Sequence, residues 1–159
     1  QNGLAQVDPK HAPVYQENGQ KAALLLSTWD SDIRDLLAEE GMPEITGLIT
    51  FHDGFQYFAA AYDLPLLAAI EEEAGSEASA KEINEITALV KEKKIPVIFT
   101  EVNGSDATAN AIARETGCTV AQLSMCMDGP DGALSSYGDV LRNNVAAIIN
   151  GFAGEELVR

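Results

Sequence analysis

The strongest constraint on the fold is an alternation of short apolar runs with stretches of helical periodicity. The runs are Thr46 to Phe51, Leu66 to Ile70, Val97 to Thr100 and Thr119 to Met125. Helical stretches follow near Gly54 to Tyr62, Ala80 to Glu92, Asp106 to Thr116 and Ser136 to Phe152. Strand-length runs separated by amphipathic segments of this kind pair in parallel and return through crossover helices. The expected class is therefore α/β, a four-stranded parallel sheet flanked by helices.

A long helix is expected ahead of this lobe. Val14, Leu25, Trp29, Ile33, Leu36 and Leu37 recur at helical spacing, and Gly41 and Pro43 stop the pattern. A helix from Pro13 to Glu40 would be roughly 40 Å long, more than a lobe of this size needs. The division expected is a linker helix over 1–43 and a C-terminal α/β lobe over 44–159. Ser79-Ala80-Lys81-Glu82 has the form of a capping box, Gly117 sits where a left-handed helix end is wanted, and Ser105 is a cap for the helix after it.

Composition narrows the function classes. At 159 residues and 46% hydrophobic content the chain can bury one core, and aromatics at 6% suit helices on an aliphatic sheet. With 25 acidic and 10 basic residues the net charge is −15, which repels phosphate backbones and anionic lipid heads. Nucleic acid is excluded as a partner on that ground, and a weak attraction for cations remains. The opening Gln1-Asn2-Gly3 is expected of a piece cut from a longer protein. Cys118 and Cys126 flank an extended run and would lie over about 20 Å apart, too far for a disulfide.

In open α/β sheets ligands bind beyond the carboxyl ends of the strands. The residues that follow the four runs are His52 and Asp53, then Glu71 to Glu73, then Glu101, then Cys126, Met127 and Asp128. Imidazole with carboxylates suits zinc, manganese or iron, but one histidine cannot complete a shell of about four donors. A lone strand-end histidine is more often simply hydrogen-bonded than a ligand. Asp53 is expected to cap the next helix with Gln56 reaching back to it. Glu71 to Glu73 reads as a solvated loop, Glu101 as either a partner of a ligand or a loop anchor. Met125-Cys126-Met127 reads as packing and His11 as exposed and idle.

Phe51-His52-Asp53-Gly54-Phe55-Gln56-Tyr57-Phe58, followed by Ala61-Tyr62-Asp63-Leu64, resembles a segment of the zinc- and manganese-binding solute-binding proteins of bacterial ABC importers, also described as metal-binding adhesion lipoproteins. Ile98-Phe99-Thr100-Glu101, Ala111 to Gly117, and Ser136-Tyr137 with Leu141, Asn143 and Asn144 resemble later segments of that family, and Asp8-Pro9 with Tyr15 and Asn18 resembles the start of its long helix. The resemblance covers nearly the whole chain but only half a family member.

The resemblance implies two lobes joined by a rigid helix, with a metal between them. It assigns a ligand to His52, and histidine at that position goes with zinc-type members, glutamate with manganese-type ones. The expected cargo is Zn²⁺, with Mn²⁺ as the alternative. A further ligand is implied just after the last strand, where Asp128 is the nearest carboxylate and Cys126 or Met127 competes for the place. The implied partners are the missing N-terminal lobe and an ABC permease, the implied location extracytoplasmic, and the implied role a carrier rather than an enzyme. Two rivals are kept: a metal hydrolase with Glu101 as its base, and an adhesion or interaction domain with a structural metal.

Overall fold

The computed structural model describes residues 1–71, 78–101, 106–125 and 136–158. It divides into two compact units, residues 1–38 and 39–159.

The first unit is helical. A short helix α1 (Asn2–Val7) and a 3₁₀ turn (Pro9–His11) lead into α2 (Ala12–Leu37), whose 26 residues make it about 39 Å long. Pro13 lies in its first turn, where no amide hydrogen is needed. The pairs Glu17–Lys21 and Asp30–Arg34 lie one turn apart at 2.6 and 3.0 Å, surface contacts that each add only a few tenths of a kcal/mol. Of the expected apolar stripe, Ile33 is buried, Trp29, Leu36 and Leu37 are half-buried, and Val14 and Leu25 are exposed together with Leu24 and Leu26. His11 is exposed but not idle. Its Nδ1 lies 2.7 Å from Asp8, which also accepts from the Tyr15 hydroxyl at 2.9 Å.

The second unit carries the expected sheet. Its strands are β1 (Leu48–His52), β2 (Leu66–Glu71), β3 (Val97–Glu101) and β4 (Thr119–Leu123). All pairings are parallel, in the order β2-β1-β3-β4. The helices are α3 (Gln56–Ala61), α4 (Ala80–Lys93), α5 (Ala107–Thr116) and α6 (Tyr137–Ala153). Successive strand residues point to opposite faces, and the core divides accordingly. Ile49, Phe51, Ile70 and Ile98 pack with Ile86 and Val90 of α4 and Ile112 of α5. Leu48, Val97, Phe99 and Leu123 pack with Ile148 of α6 and Phe58 of α3. The result is three layers, helices on both faces of one sheet.

Local signals account for most helix ends. Ser79 and Glu82 form the reciprocal capping box expected, and Gly117 takes φ 82° after α5. Ser136 accepts from the Asp139 amide at the start of α6. The cap expected of Asp53 is not formed. Helix α3 begins three residues later, after Phe55, and Asp53 instead accepts both of its bonds from the Gln56 side-chain amide at 2.7–2.8 Å. Ser105, Cys126, Met127 and Asp128 lie outside the described residues.

One irregularity positions the site. In the β1–β2 ladder Leu48 pairs with Leu66, but Ile49 pairs with Ala68, so β2 carries an extra residue at Leu67. The Leu67 side chain lies against Gly47, where a Cβ would overlap it. Bulges are rare in parallel pairs and re-aim the side chains beyond them. An uninterrupted ladder from Leu48–Leu66 would bring Ile70 opposite His52. The observed partner of His52 is Glu71.

Candidate metal centre

His52, Glu71 and Glu101 are the last residues of β1, β2 and β3. The sequence pattern had each of them just beyond its strand. The parallel ladder continues one residue further, through His52↔Glu71 and Glu101↔Leu123, because backbone pairing does not end where the apolar run does. Period-two alternation then puts the three side chains on the face that α3 and α6 cover: His52 follows Leu48 and Thr50, Glu101 follows Phe99, and Glu71 is opposite in sense to Ile70. Strand β1 is flanked by β2 on one side and β3 on the other, so the chain reverses its direction of winding at β1 and β3. That switch point, at the carboxyl edge, is where open α/β sheets bind ligands.

The imidazole is bracketed. Its Nδ1 lies 2.8 Å from Glu101 Oε1, and its Nε2 lies 3.3 Å from Glu71 Oε2. The side chains of His52, Glu71 and Glu101 are 24%, 12% and 18% exposed. Phe51 meets the imidazole edge-on with ring centres 4.9 Å apart, and the Thr50 hydroxyl donates to the His52 carbonyl at 2.9 Å. Two shielded carboxylates thus share one imidazole. Carboxylates this sheltered are normally paired with a cation.

The two contacts differ in kind. At 2.8 Å the Glu101 contact has the length of a charge-assisted hydrogen bond, in which Nδ1–H donates. In the neutral tautomer that this bond favours, Nε2 keeps its lone pair, the arrangement in which a carboxylate orients a ligating histidine. Glu101 therefore resolves toward a partner of His52 rather than a loop anchor. Among the described residues no group of three or more His, Cys, Asp or Glu is arranged to hold a metal ion.

The exit of β4 is held from α6. Asn144, 2% exposed, accepts from the Ser124 amide and donates to the Ser124 carbonyl, both at 2.8 Å. This clamp sets the backbone immediately before residues 126–135.

A histidine and two carboxylates on the carboxyl edge of a parallel sheet covered on both faces define the class: an α/β lobe with a candidate ligand site at its switch point. The family description "ZnuA: Zinc-uptake complex component A periplasmic" matches residues 1–151, and the chain belongs to that family. Among curated relatives, the iron-binding protein YfeA of Yersinia pestis is 27% identical over 152 residues, covering 94% of this chain and 48% of its own length. The manganese-binding lipoprotein MntA of Bacillus subtilis is 28% identical over 148 residues, covering 88% and 48%. Among solved structures, a crystal structure of ZnuA superposes with a TM-score of 0.78 at 27% identity over 95% of this chain and 53% of that one. The chain spans about half the length of the curated relatives it matches. The relatives' names carry zinc, iron and manganese, so they single out no one metal.

Proposed function

We propose that this chain is the C-terminal lobe, with its linker helix, of an extracytoplasmic solute-binding protein that captures a divalent metal and passes it to an ABC permease. The single observation that carries the reading is His52 at the end of the central β1, with Nδ1 held by Glu101 and Nε2 turned toward a second carboxylate. The cargo is bound and released intact. No covalent step is asked of the protein, and the proposed role is a carrier, not an enzyme.

Zn²⁺ is the proposed cargo, since a neutral imidazole with oxygen donors suits it, and Mn²⁺ and Fe²⁺ are the competitors. His52 supplies nitrogen, and Asp128, on the segment that follows the Asn144 clamp, supplies a carboxylate oxygen. The remaining ligands come from a partner lobe in the rest of the protein. Exposure of Val14, Leu24, Leu25 and Leu26 along α2 supports such a lobe, because apolar side chains clustered on one helix favour a covering partner. The net charge of −15 favours accumulation of cations near the surface. No helix among the described residues is long and apolar enough to cross a membrane. Attachment outside the membrane, in the periplasm or through a lipid, is proposed from the relatives.

The test is calorimetric titration of the full-length protein with Zn²⁺, Mn²⁺ and Fe²⁺, comparing His52→Ala and Asp128→Ala with the parent. Loss of a ligand exceeds the 10–100-fold cost of removing an outer partner, so affinity should fall by more than about 100-fold in His52→Ala. Unchanged affinity in that variant would sink the site.

A further inference from the structure

We infer that Glu71 is a metal ligand, sharing one divalent ion with His52 Nε2. The inference rests on the reading of His52 as a ligand and goes beyond it by assigning a donor that the sequence pattern had placed in a solvated loop.

The first support is a distance. With Nδ1–H committed to Glu101, Nε2 of a neutral imidazole and the Glu71 carboxylate both present lone pairs to each other. A proton on Nε2 or a metal ion between them would relieve that opposition. If it were the proton, the atoms should close to about 2.7–2.9 Å, as those of the Glu101 contact do. They stand 3.3 Å apart. Two donors bound to one ion at about 2.0–2.2 Å with tetrahedral angles are separated by about 3.3–3.6 Å. The gap between Nε2 and Oε2 has the length of an edge of a coordination shell.

The second support is the backbone. The extra residue at Leu67 puts Glu71, instead of Ile70, opposite His52, and both ends then belong to one continuous ladder. A donor fixed by strand pairing needs no loop to order before it can bind. The third support is charge. Glu71 is 12% exposed, and among the described residues its only ionic partner is His52, which Glu101 already engages. A divalent ion balances the two carboxylates, as one imidazolium does not.

The expected ligand class follows from the donors. With Glu71 beside the proposed His52 and Asp128, this lobe would offer one nitrogen and two carboxylate oxygens, a borderline-to-hard partial shell that serves Zn²⁺ and favours Mn²⁺ or Fe²⁺ more than a shell of histidines alone would. Glu71 therefore acts on selectivity as well as affinity.

The experiment loads the full-length protein with Co²⁺, whose visible absorption reports the ligand set, and measures Zn²⁺ affinity by competition. Wild type, His52→Ala, Glu71→Gln and Glu71→Ala are compared, with circular dichroism to confirm folding. Support is a Zn²⁺ affinity lowered about tenfold or more in both Glu71 variants, together with a changed Co²⁺ spectrum. Mn²⁺ affinity should fall further than Zn²⁺ affinity in Glu71→Ala. Weakened binding with an unaltered Co²⁺ spectrum would reduce Glu71 to a nearby charge and overturn the assignment. Unchanged affinity in the Glu71 variants while His52→Ala loses binding would overturn it too, leaving the His52 reading standing. Full affinity in His52→Ala would remove both.

Discussion

Replacing Asn144 with Ala should cost more than any surface change in the lobe. The Asn144 amide can satisfy Ser124 in one orientation only, with Oδ1 facing the N–H and Nδ2 facing the C=O, and both contacts are 2.8 Å long. Asn144 is 2% and Ser124 3% exposed, so water does not readily replace the lost bonds. Stripping a buried donor or acceptor of its partner costs about 1–3 kcal/mol. Two such losses on one residue, softened by local relaxation, give about 3 kcal/mol. For a chain of this size each kcal/mol lowers Tm by about 2–4 °C, so the variant should melt roughly 6–12 °C below the parent. Asn144→Asp should be at least as damaging at neutral pH, since it keeps the acceptor but turns a carboxylate oxygen on the Ser124 carbonyl. The assay is thermal unfolding followed by far-ultraviolet circular dichroism. A shift below about 2 °C in Asn144→Ala would refute the clamp as a source of stability.

Two further outcomes are expected. Glu101→Gln should weaken metal binding by about 10–100-fold without unfolding the lobe, because Gln keeps the shape but not the charge that orients Nδ1–H; equal affinities in competition titrations would show that His52 needs no such partner. The Ser79 hydroxyl, followed by the Ser79 backbone amide, holds the Glu82 carboxyl below its usual 4.5. A carboxyl lowered on folding contributes stability fully above its unfolded value and loses it as pH falls through the lower folded one. Denaturant midpoints measured from pH 6 down to pH 3 should thus fall less steeply for Ser79→Ala than for the parent, and parallel curves would contradict the capping box as the cause.

Much of the fold was readable because its signals are local. Apolar runs, a Ser-x-x-Glu box and a glycine at a helix end each act within a few residues, and the strands and most helix ends fall where those signals put them. The errors lie where distant pairing decides. His52 meets Glu71 and Glu101 through strand register, which no periodicity records, and the extra residue at Leu67 is visible only once β1 and β2 are side by side. Asp53 shows the local counterpart of the same limit. A capping pattern was present, but Gln56 turned its amide onto the aspartate and the helix began without it. The candidate histidine itself was legible as a residue after an apolar run. Its proposed role rests on the resemblance of the surrounding segment and on the two carboxylates that the sheet delivers.

If His52 and Glu71 share an ion as inferred above, the bulge at Leu67 also makes metal content a gauge of strand alignment. A molecule whose β2 ran without it would keep nearly the same outline, yet present isoleucine to the imidazole and turn its other side chains to the wrong face. Such a misaligned population would pass as folded by size and by helix content. Retention on an immobilised-metal column, or the stoichiometry of Zn²⁺ taken up, would sort it from correctly registered chains, so that loading serves as an internal proofreading mark for the sheet.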